Sequence, residues 1–333
     1  VIVTFFNTFF CINHDTLFHV NMCDYNDHKE QIASLEDMMR CGYKIIPLND
    51  YGVFCCAQDG AFLSPQPDGT VAHAARPLGW EQFRFCDGGE PLQVAPVDEG
   101  ATIPKIIHQT EEPSTIREQF IPNINQLKRL NKDYKYIYYS EKDRHDFIYQ
   151  HYGWDILKVY LRINPRYGAA RADLFRYLCL YRYGGIYLDM KSGCDRPFSD
   201  IIQQNDTLLL SHWMSAQSTR YHSFGKSPVI GHLPYGEFQQ WFMISAPGHK
   251  LIKNVIDQVI SNIMLYDERI FSVGKDAVLG LTGPHAFTRA LMNHVTSDNA
   301  RLIDSEREGI IYEQVEPYER LTDYRHEGTP IVL

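Results

Sequence analysis

The chain has 333 residues, 44% hydrophobic and 22% charged, which excludes a disordered or fibrous protein and allows one large domain plus a smaller unit. The formal net charge is −9, and no basic run with interleaved aromatics occurs. Charge therefore argues against nucleic acid and anionic lipid as partners, while a local basic pocket for a diphosphate stays compatible with the total.

In chain order, residues 1–12 are apolar for about twelve positions, interrupted by Asn7. That run is too short to span a bilayer and reads as a buried strand; no membrane association is read from this chain. An anchor upstream of Val1 would place the protein in the secretory-pathway lumen, where the sequon Asn205, Asp206, Thr207 gains meaning; without one the cytoplasm is expected. Residues 28–39 read as a short helix, 43–48 as a strand, and Asn49 with Asp50 as a turn.

From Tyr51 to Val94 the texture changes to short runs broken by Gln58, Asp59 and Gly60, by Gln66, Pro67, Asp68 and Gly69, and by Asp87, Gly88 and Gly89. Such punctuation predicts hairpins. The expected division is an N-terminal α/β segment 1–50, a β-hairpin segment 51–98, and an α/β domain 99–333. Residues 60–64, 67–71 and 80–83 resemble one repeat of a fascin-type β-trefoil, a fold that needs several repeats to close; a hairpin subdomain and a glycan-binding accessory are both open. Cys11, Cys23, Cys41, Cys55, Cys56 and Cys86 crowd this part, against Cys179 and Cys194 later. No CxxC zinc spacing occurs, and disulfides or buried thiols follow from the compartment.

After a linker at 94–102, strands and helices alternate: strand 105–107, helix 116–130, strand 134–139, helix 143–149, helix 168–183, and strands 186–190 and 207–211. This predicts an α/β domain with a largely parallel sheet, whose ligand site lies beyond the strand ends. Leu251, Ile252, Val255, Ile256, Val259, Ile260, Ile263 and Met264 recur at helical period as a packing stripe, with Lys253 and Asp257 opposite.

The chemistry concentrates in residues 168–191. Leu174, Tyr177, Leu178 and Tyr181 form the buried stripe of a helix that Gly184 and Gly185 can stop. Asp173 and Arg176, three apart, share one face, as in an ordinary surface ion pair or a ligand site, with Arg171 near the start. In the strand that follows, Tyr187, Asp189 and Lys191 face one side and Ile186, Leu188 and Met190 the other. Asp189 and Lys191 therefore emerge together at a strand's carboxyl end.

Five blocks, 103–110, 169–176, 183–189, 242–249 and 282–284, resemble in sequence and order the DXD-containing sugar transferases, which include the fungal outer-chain mannosyltransferases. The resemblance covers about residues 102–290. It implies a GT-A (Rossmann-like) nucleotide-sugar-binding fold with a small β-rich unit before it. It also implies a retaining glycosyltransferase that moves a hexose from a UDP or GDP sugar to a glycan or other hydroxyl acceptor. Carried over, His108, Gln109 and Thr110 would hold the nucleotide, Asp173 and Arg176 the donor sugar and phosphate, and Gln240 and His285 would line the sugar site. Arg171, Gly184 and Gly185 join the candidate substrate-binding residues, and Asp189, Lys191 and Arg176 are the candidate catalytic ones.

One departure matters. The family reads Asp-x-Asp to anchor Mn²⁺ or Mg²⁺; this chain reads Asp189, Met190, Lys191. A divalent ion and an ammonium about 4 Å apart repel by roughly 8 kcal/mol at an effective dielectric near 20. Three readings stay open: Lys191 pairs with the diphosphate and the metal requirement is reduced; Lys191 turns outward and Asp195 joins Asp189 as metal ligand; or the protein is a catalytically silent binder of nucleotide sugar or glycan.

Overall fold

A computed structural model describes every residue except 15, 50, 51, 86–90, 112–115, 214–220, 222, 223 and 316–323. Asp50 of the expected turn, Cys86, and the punctuation at Asp87, Gly88 and Gly89 lie outside the described residues.

The N-terminal part forms one eight-stranded antiparallel sheet. Strand Lys44–Asn49 pairs with Gly52–Cys56, and Ile2–Val3 pairs with Gln82–Phe85. Pairing thus runs straight across the expected division at 50/51, and segments 1–50 and 51–98 share one sheet. A bridge between Phe18 and Thr70, with the His19 N–H donating to the Gly69 carbonyl at 2.9 Å, joins the remaining edges. Inside lie Ile2, Phe10, Val53, Cys55, Leu63 and Phe83. The opening apolar run is broken where Asn7 takes φ 54°, between Ile2–Val3 and Phe9–Asn13. Gly60 and Gly69, at φ 86° and 92°, make the turns that their neighbours signalled.

The expected helix at 28–39 is shorter, Leu35–Arg40, because the Ser34 and Asp37 capping box starts it late. Among the described residues Cys11, Cys23, Cys41, Cys55, Cys56, Cys179 and Cys194 are all free thiols. The segment likened to a trefoil repeat supplies the hairpin Phe62–Pro65 with Val71–Ala74 and the strand Gln82–Phe85.

The larger α/β unit carries a six-stranded sheet in the order Lys135–Tyr139, Ile106–Thr110, Gly185–Leu188, Phe242–Ser245, Leu208–Leu210, Arg301–Leu302. It is mixed rather than largely parallel: Phe242–Ser245 runs antiparallel to both neighbours, whereas the other pairings are parallel. Alternation builds two apolar layers. Tyr187, Leu208, Leu210 and Met243 join the cluster under the helices Glu141–Arg162, Gly168–Tyr183, Lys250–Met264 and Pro284–Leu291. Ile107, Ile186, Leu188, Leu209, Phe242 and Ile244 face the other way, onto Leu127, Phe198 and Trp241. This is the α/β architecture with a β-rich N-terminal unit that the resemblance implies.

Helix Gly168–Tyr183 is buried along nearly its whole length and delivers its polar residues from inside the protein. It stops at Gly184, φ 62°. Gly185, φ 97°, then lies so close to the neighbouring strand that a Cβ there would stand 2.6 Å from the Ile106 carbonyl oxygen. On Lys250–Met264 the expected apolar stripe is buried except for the exposed Met264, and so are Asn254, Asp257, Gln258 and Asn262. The N-terminal unit covers that second face: the Met22 N–H donates to Gln258 Oε1 at 3.1 Å, and Arg84 Nη1 donates to the Leu265 carbonyl at 2.7 Å.

Candidate active site

Asp189 ends the strand Gly185–Leu188, and its position is set by backbone. Its N–H donates to the Trp241 carbonyl at 2.9 Å, and its own carbonyl accepts from Gln109 Nε2 at 3.2 Å. The chain then turns: Ser192 N–H donates to the Asp189 carbonyl at 2.9 Å, and Asn123 Nδ2 holds the carbonyls of Met190 and Ser192. Segment 312–315 closes the turn from the other side. Gln314 and Val315 N–H groups donate to the Lys191 carbonyl, and Ser192 Oγ donates to the Tyr312 carbonyl. Asp189 and Lys191 leave this braced turn into one cleft of about 470 Å³, also lined by Asp173, Arg176, Trp213, Lys226, Glu237, Gln240, Trp241, Lys275, His285, Tyr312 and Glu313.

Arg176 is the hub. Its Nη2 stands 3.0 Å from Asp173 Oδ1 and 3.1 Å from Asp189 Oδ1, Nη1 donates to the Gln240 carbonyl at 2.7 Å, and the guanidinium lies 4.6 Å from the Tyr187 ring centre. Asp173 also accepts from Thr282 Oγ1 at 2.9 Å. Burial pushes the Asp173 carboxyl up to about 6, against the pull of Arg176 and Thr282. Lys191 Nζ lies 3.5 Å from Glu313 Oε1 and 3.8 Å from the Tyr312 ring centre, so aromatic and carboxylate together seat the ammonium.

Two buried donors in the cleft have no acceptor among the described residues: Arg176 Nε and Trp241 Nε1. Orphaned donors beside cations suit an oxygen-rich anionic ligand. Glu237 accepts from Trp213 Nε1 at 2.9 Å and sits 3.5 Å from His285 Nε2. Burial raises Glu237 to about 7 and lowers His285 to about 4. Burial thus favours the neutral form of both partners where they meet.

Of the residues singled out in the sequence, Asp173, Arg176, Asp189, Lys191, Gln240 and His285 converge on the cleft. The others do not. His108 is fully buried, with Nδ1 3.0 Å from Tyr139 Oη and Nε2 3.0 Å from the Gly184 carbonyl; burial lowers it to about 4. Thr110 donates to the Tyr139 carbonyl at 2.7 Å and accepts from Arg144 at 2.6 Å. Gln109 spans from the Asp189 carbonyl, to which it donates, to Tyr136 Oη, from which it accepts at 2.9 Å. Arg171 turns away to the Ile163 carbonyl and Glu141, at 3.0 and 3.1 Å. Gly184 and Gly185 serve close packing against Pro247 and Ile106.

Asp195, the other candidate metal ligand, does not line the cleft and pairs with Arg196 at 2.9 Å. Lys226, Lys275, Tyr312 and Glu313 line the cleft but went unnoticed in the sequence, because they come from loops and segments with no local pattern. A second cavity of about 510 Å³, beside residues 205–208 and 295–302, offers as ionic pair Asp206 with Arg301, already joined at 2.7 Å.

Residues 117–208, which include Asp173, Arg176, Asp189 and Lys191, match the family described as "Glycosyltransferase sugar-binding region containing DXD motif". Over this stretch the chain is similar to the DXD-containing sugar transferases. It is 35% identical over 105 residues to inositol phosphoceramide mannosyltransferase 3 of Schizosaccharomyces pombe, covering 32% of this chain and 29% of that protein. It is 26% identical over 217 residues to an initiation-specific alpha-1,6-mannosyltransferase of Candida albicans, covering 61% and 56%. The chain thus spans under a third of the first relative and about half of the second. Among solved structures, the PaToxG glycosyltransferase aligns over 58% of this chain and 70% of that one at 18% identity, with a TM-score of 0.37.

Proposed function

We propose that this chain transfers a hexose from a nucleoside diphosphate sugar, UDP- or GDP-linked, to a glycan or other hydroxyl acceptor with retention of anomeric configuration. The observation that carries the reading is the convergence of Arg176, Lys191 and Lys275 with two unsatisfied donors on one cleft. Mannose is the first sugar to test, because the relatives bear mannosyltransferase names.

The carboxylates of the cleft do not suit the Mn²⁺ or Mg²⁺ that the family uses. Asp189 is engaged by Arg176, Glu313 by Lys191, and Asp195 points elsewhere. Oxygen-rich divalent sites need several free carboxylate oxygens. In this reading Lys191 and Arg176 meet the diphosphate directly. As the sugar–phosphate bond breaks, they stabilise the charge that grows on the leaving oxygen, and that oxygen takes the acceptor hydroxyl's proton. Asp173 and Thr282 keep Arg176 in place, and Glu237 orients the acceptor hydroxyl.

A thermal-shift panel of UDP and GDP sugars, with Mn²⁺ and with chelator, tests the donor, since a ligand of the native state raises Tm by mass action. A shift that survives chelator and a loss of nucleotide release of about 10²-fold in Lys191→Ala support the proposal. Unchanged turnover in that variant removes Lys191 from the mechanism. Donor binding without transfer or hydrolysis makes the protein a silent binder.

A further inference from the structure

We propose that Cys23, Asp24 and His294 form a zinc site, away from the cleft, that ties the N-terminal unit to the C-terminal helices. Cys23 and Asp24 sit in the turn Met22–Asp24 of the N-terminal unit, and His294 follows the helix Pro284–Leu291. Among the described residues this is the one group of three such side chains whose donor atoms all lie within 4.8 Å of one another.

The separations fit one tetrahedral ion. His294 Nε2 is 3.4 Å from Asp24 Oδ1 and 3.9 Å from Cys23 Sγ. Zn–N and Zn–O bonds of about 2.1 Å and a Zn–S bond of about 2.3 Å at tetrahedral angles put N and O about 3.4 Å apart and N and S about 3.6 Å apart. The first distance is already met, and the second needs a closure of a few tenths of an ångström by the Cys23 rotamer. One thiolate, one imidazole and one carboxylate form a donor set that favours zinc over magnesium or calcium.

Both halves of the site are held in advance. Met22 N–H is anchored on Gln258 at 3.1 Å and Asp24 N–H on the Asn21 carbonyl at 3.0 Å. On the other side, His294 N–H donates to the Leu291 carbonyl at 2.8 Å, and Asn299 Nδ2 donates to the His294 carbonyl at 2.8 Å. Asp24 also lines a cavity of about 270 Å³ between the two units, shared with Arg289 and Asn293. That cavity reaches the site on the Asp24 side, the approach an entering ion would take. An ion there would fasten the helix whose other end presents His285 to the cleft.

The test is cobalt titration of the metal-stripped full chain, read by absorption. The expected result is one equivalent of Co²⁺ bound with four-coordinate visible bands and a thiolate-to-cobalt band in the near ultraviolet, all displaced by Zn²⁺. Cys23→Ser, a nearly isosteric change, is expected to abolish the thiolate band with its circular dichroism unchanged. Zinc is expected to raise Tm in the wild type and not in His294→Asn. Absence of the band in the wild type overturns the proposal and leaves His294 and Asp24 as an ion pair alone. Persistence of the band in Cys23→Ser overturns it as well, since another cysteine would then hold the metal.

Discussion

Arg176 and Asp189, thirteen residues apart, meet at 3.1 Å through the same guanidinium nitrogen that holds Asp173 at 3.0 Å. One buried cation thus welds the helix Gly168–Tyr183 to the tip of the strand that follows it. Arg176→Ala would leave two carboxylates facing each other in a buried site. Breaking a buried pair in this way costs about 3–5 kcal/mol, measurable by urea denaturation, and the loss is expected to be smaller at pH 5 than at pH 8, where Asp173 is ionised. An equal loss at both values would show that the carboxylates do not depend on the cation.

The raised Asp173 carboxyl makes a signed prediction. Its folded value, about 6, exceeds the ordinary 3.8, so the native state binds the proton more tightly than the unfolded chain does. Its contribution is favourable below about pH 4 and is lost as pH rises through about 6. The Tm of Asp173→Asn minus that of the wild type is therefore expected to become more positive between pH 4.5 and pH 7.5. A flat difference would mean that the carboxyl titrates normally.

Gly185→Ala is expected to destabilise the fold by about 2 kcal/mol or more, since φ 97° strains any side chain and the new Cβ meets the Ile106 carbonyl at 2.6 Å. Denaturation midpoints give the cost. Donor affinity of the folded fraction is expected to be unchanged, and a selective fall in affinity would return Gly185 to the substrate site.

His108→Ala removes the imidazole from the Tyr139 hydroxyl, which keeps Cys179 Sγ at 3.7 Å, and from the Gly184 carbonyl, at about 1–3 kcal/mol for the buried carbonyl left unpaired. Calorimetry is expected to show that loss with KM for the donor intact.

Asp195→Asn disrupts an exposed pair with Arg196 whose contribution is about 0–1 kcal/mol. Turnover and its response to Mn²⁺ are expected to match the wild type. A lost metal response would restore Asp195 as a ligand.

The helix Gly168–Tyr183 and its glycine stop were legible because they rest on local periodicity; the strand face expected to carry Asp189 and Lys191 was not, since the strand ends at Leu188 and both reach the cleft from the turn that follows it. The stripe of Lys250–Met264 was legible from its own periodicity. Its second buried face was not: Asn254, Gln258 and Asn262 look solvent-facing until the N-terminal unit is laid on them, and no local pattern encodes that contact. That segments 1–50 and 51–98 share one sheet was not legible either, because a turn signal is compatible with a hairpin within one sheet as readily as with a boundary. In the site, the family blocks singled out His108 and Thr110 together with Asp189, yet the first two hold the strands in place from within. Tyr312 and Glu313 reach Lys191 from more than a hundred residues away, beyond any motif window.

The Arg289 side chain, whose guanidinium lies 4.6 Å from the Phe6 ring centre and donates to the Phe6 carbonyl at 3.0 Å, bears on how this protein can be dissected. Severing the chain near residue 99 would strip an aromatic lid from a cation one turn along from His285 and bare a row of amides on Lys250–Met264 at the same stroke. The α/β half and the strand-rich half are better regarded as mutual scaffolds than as detachable modules.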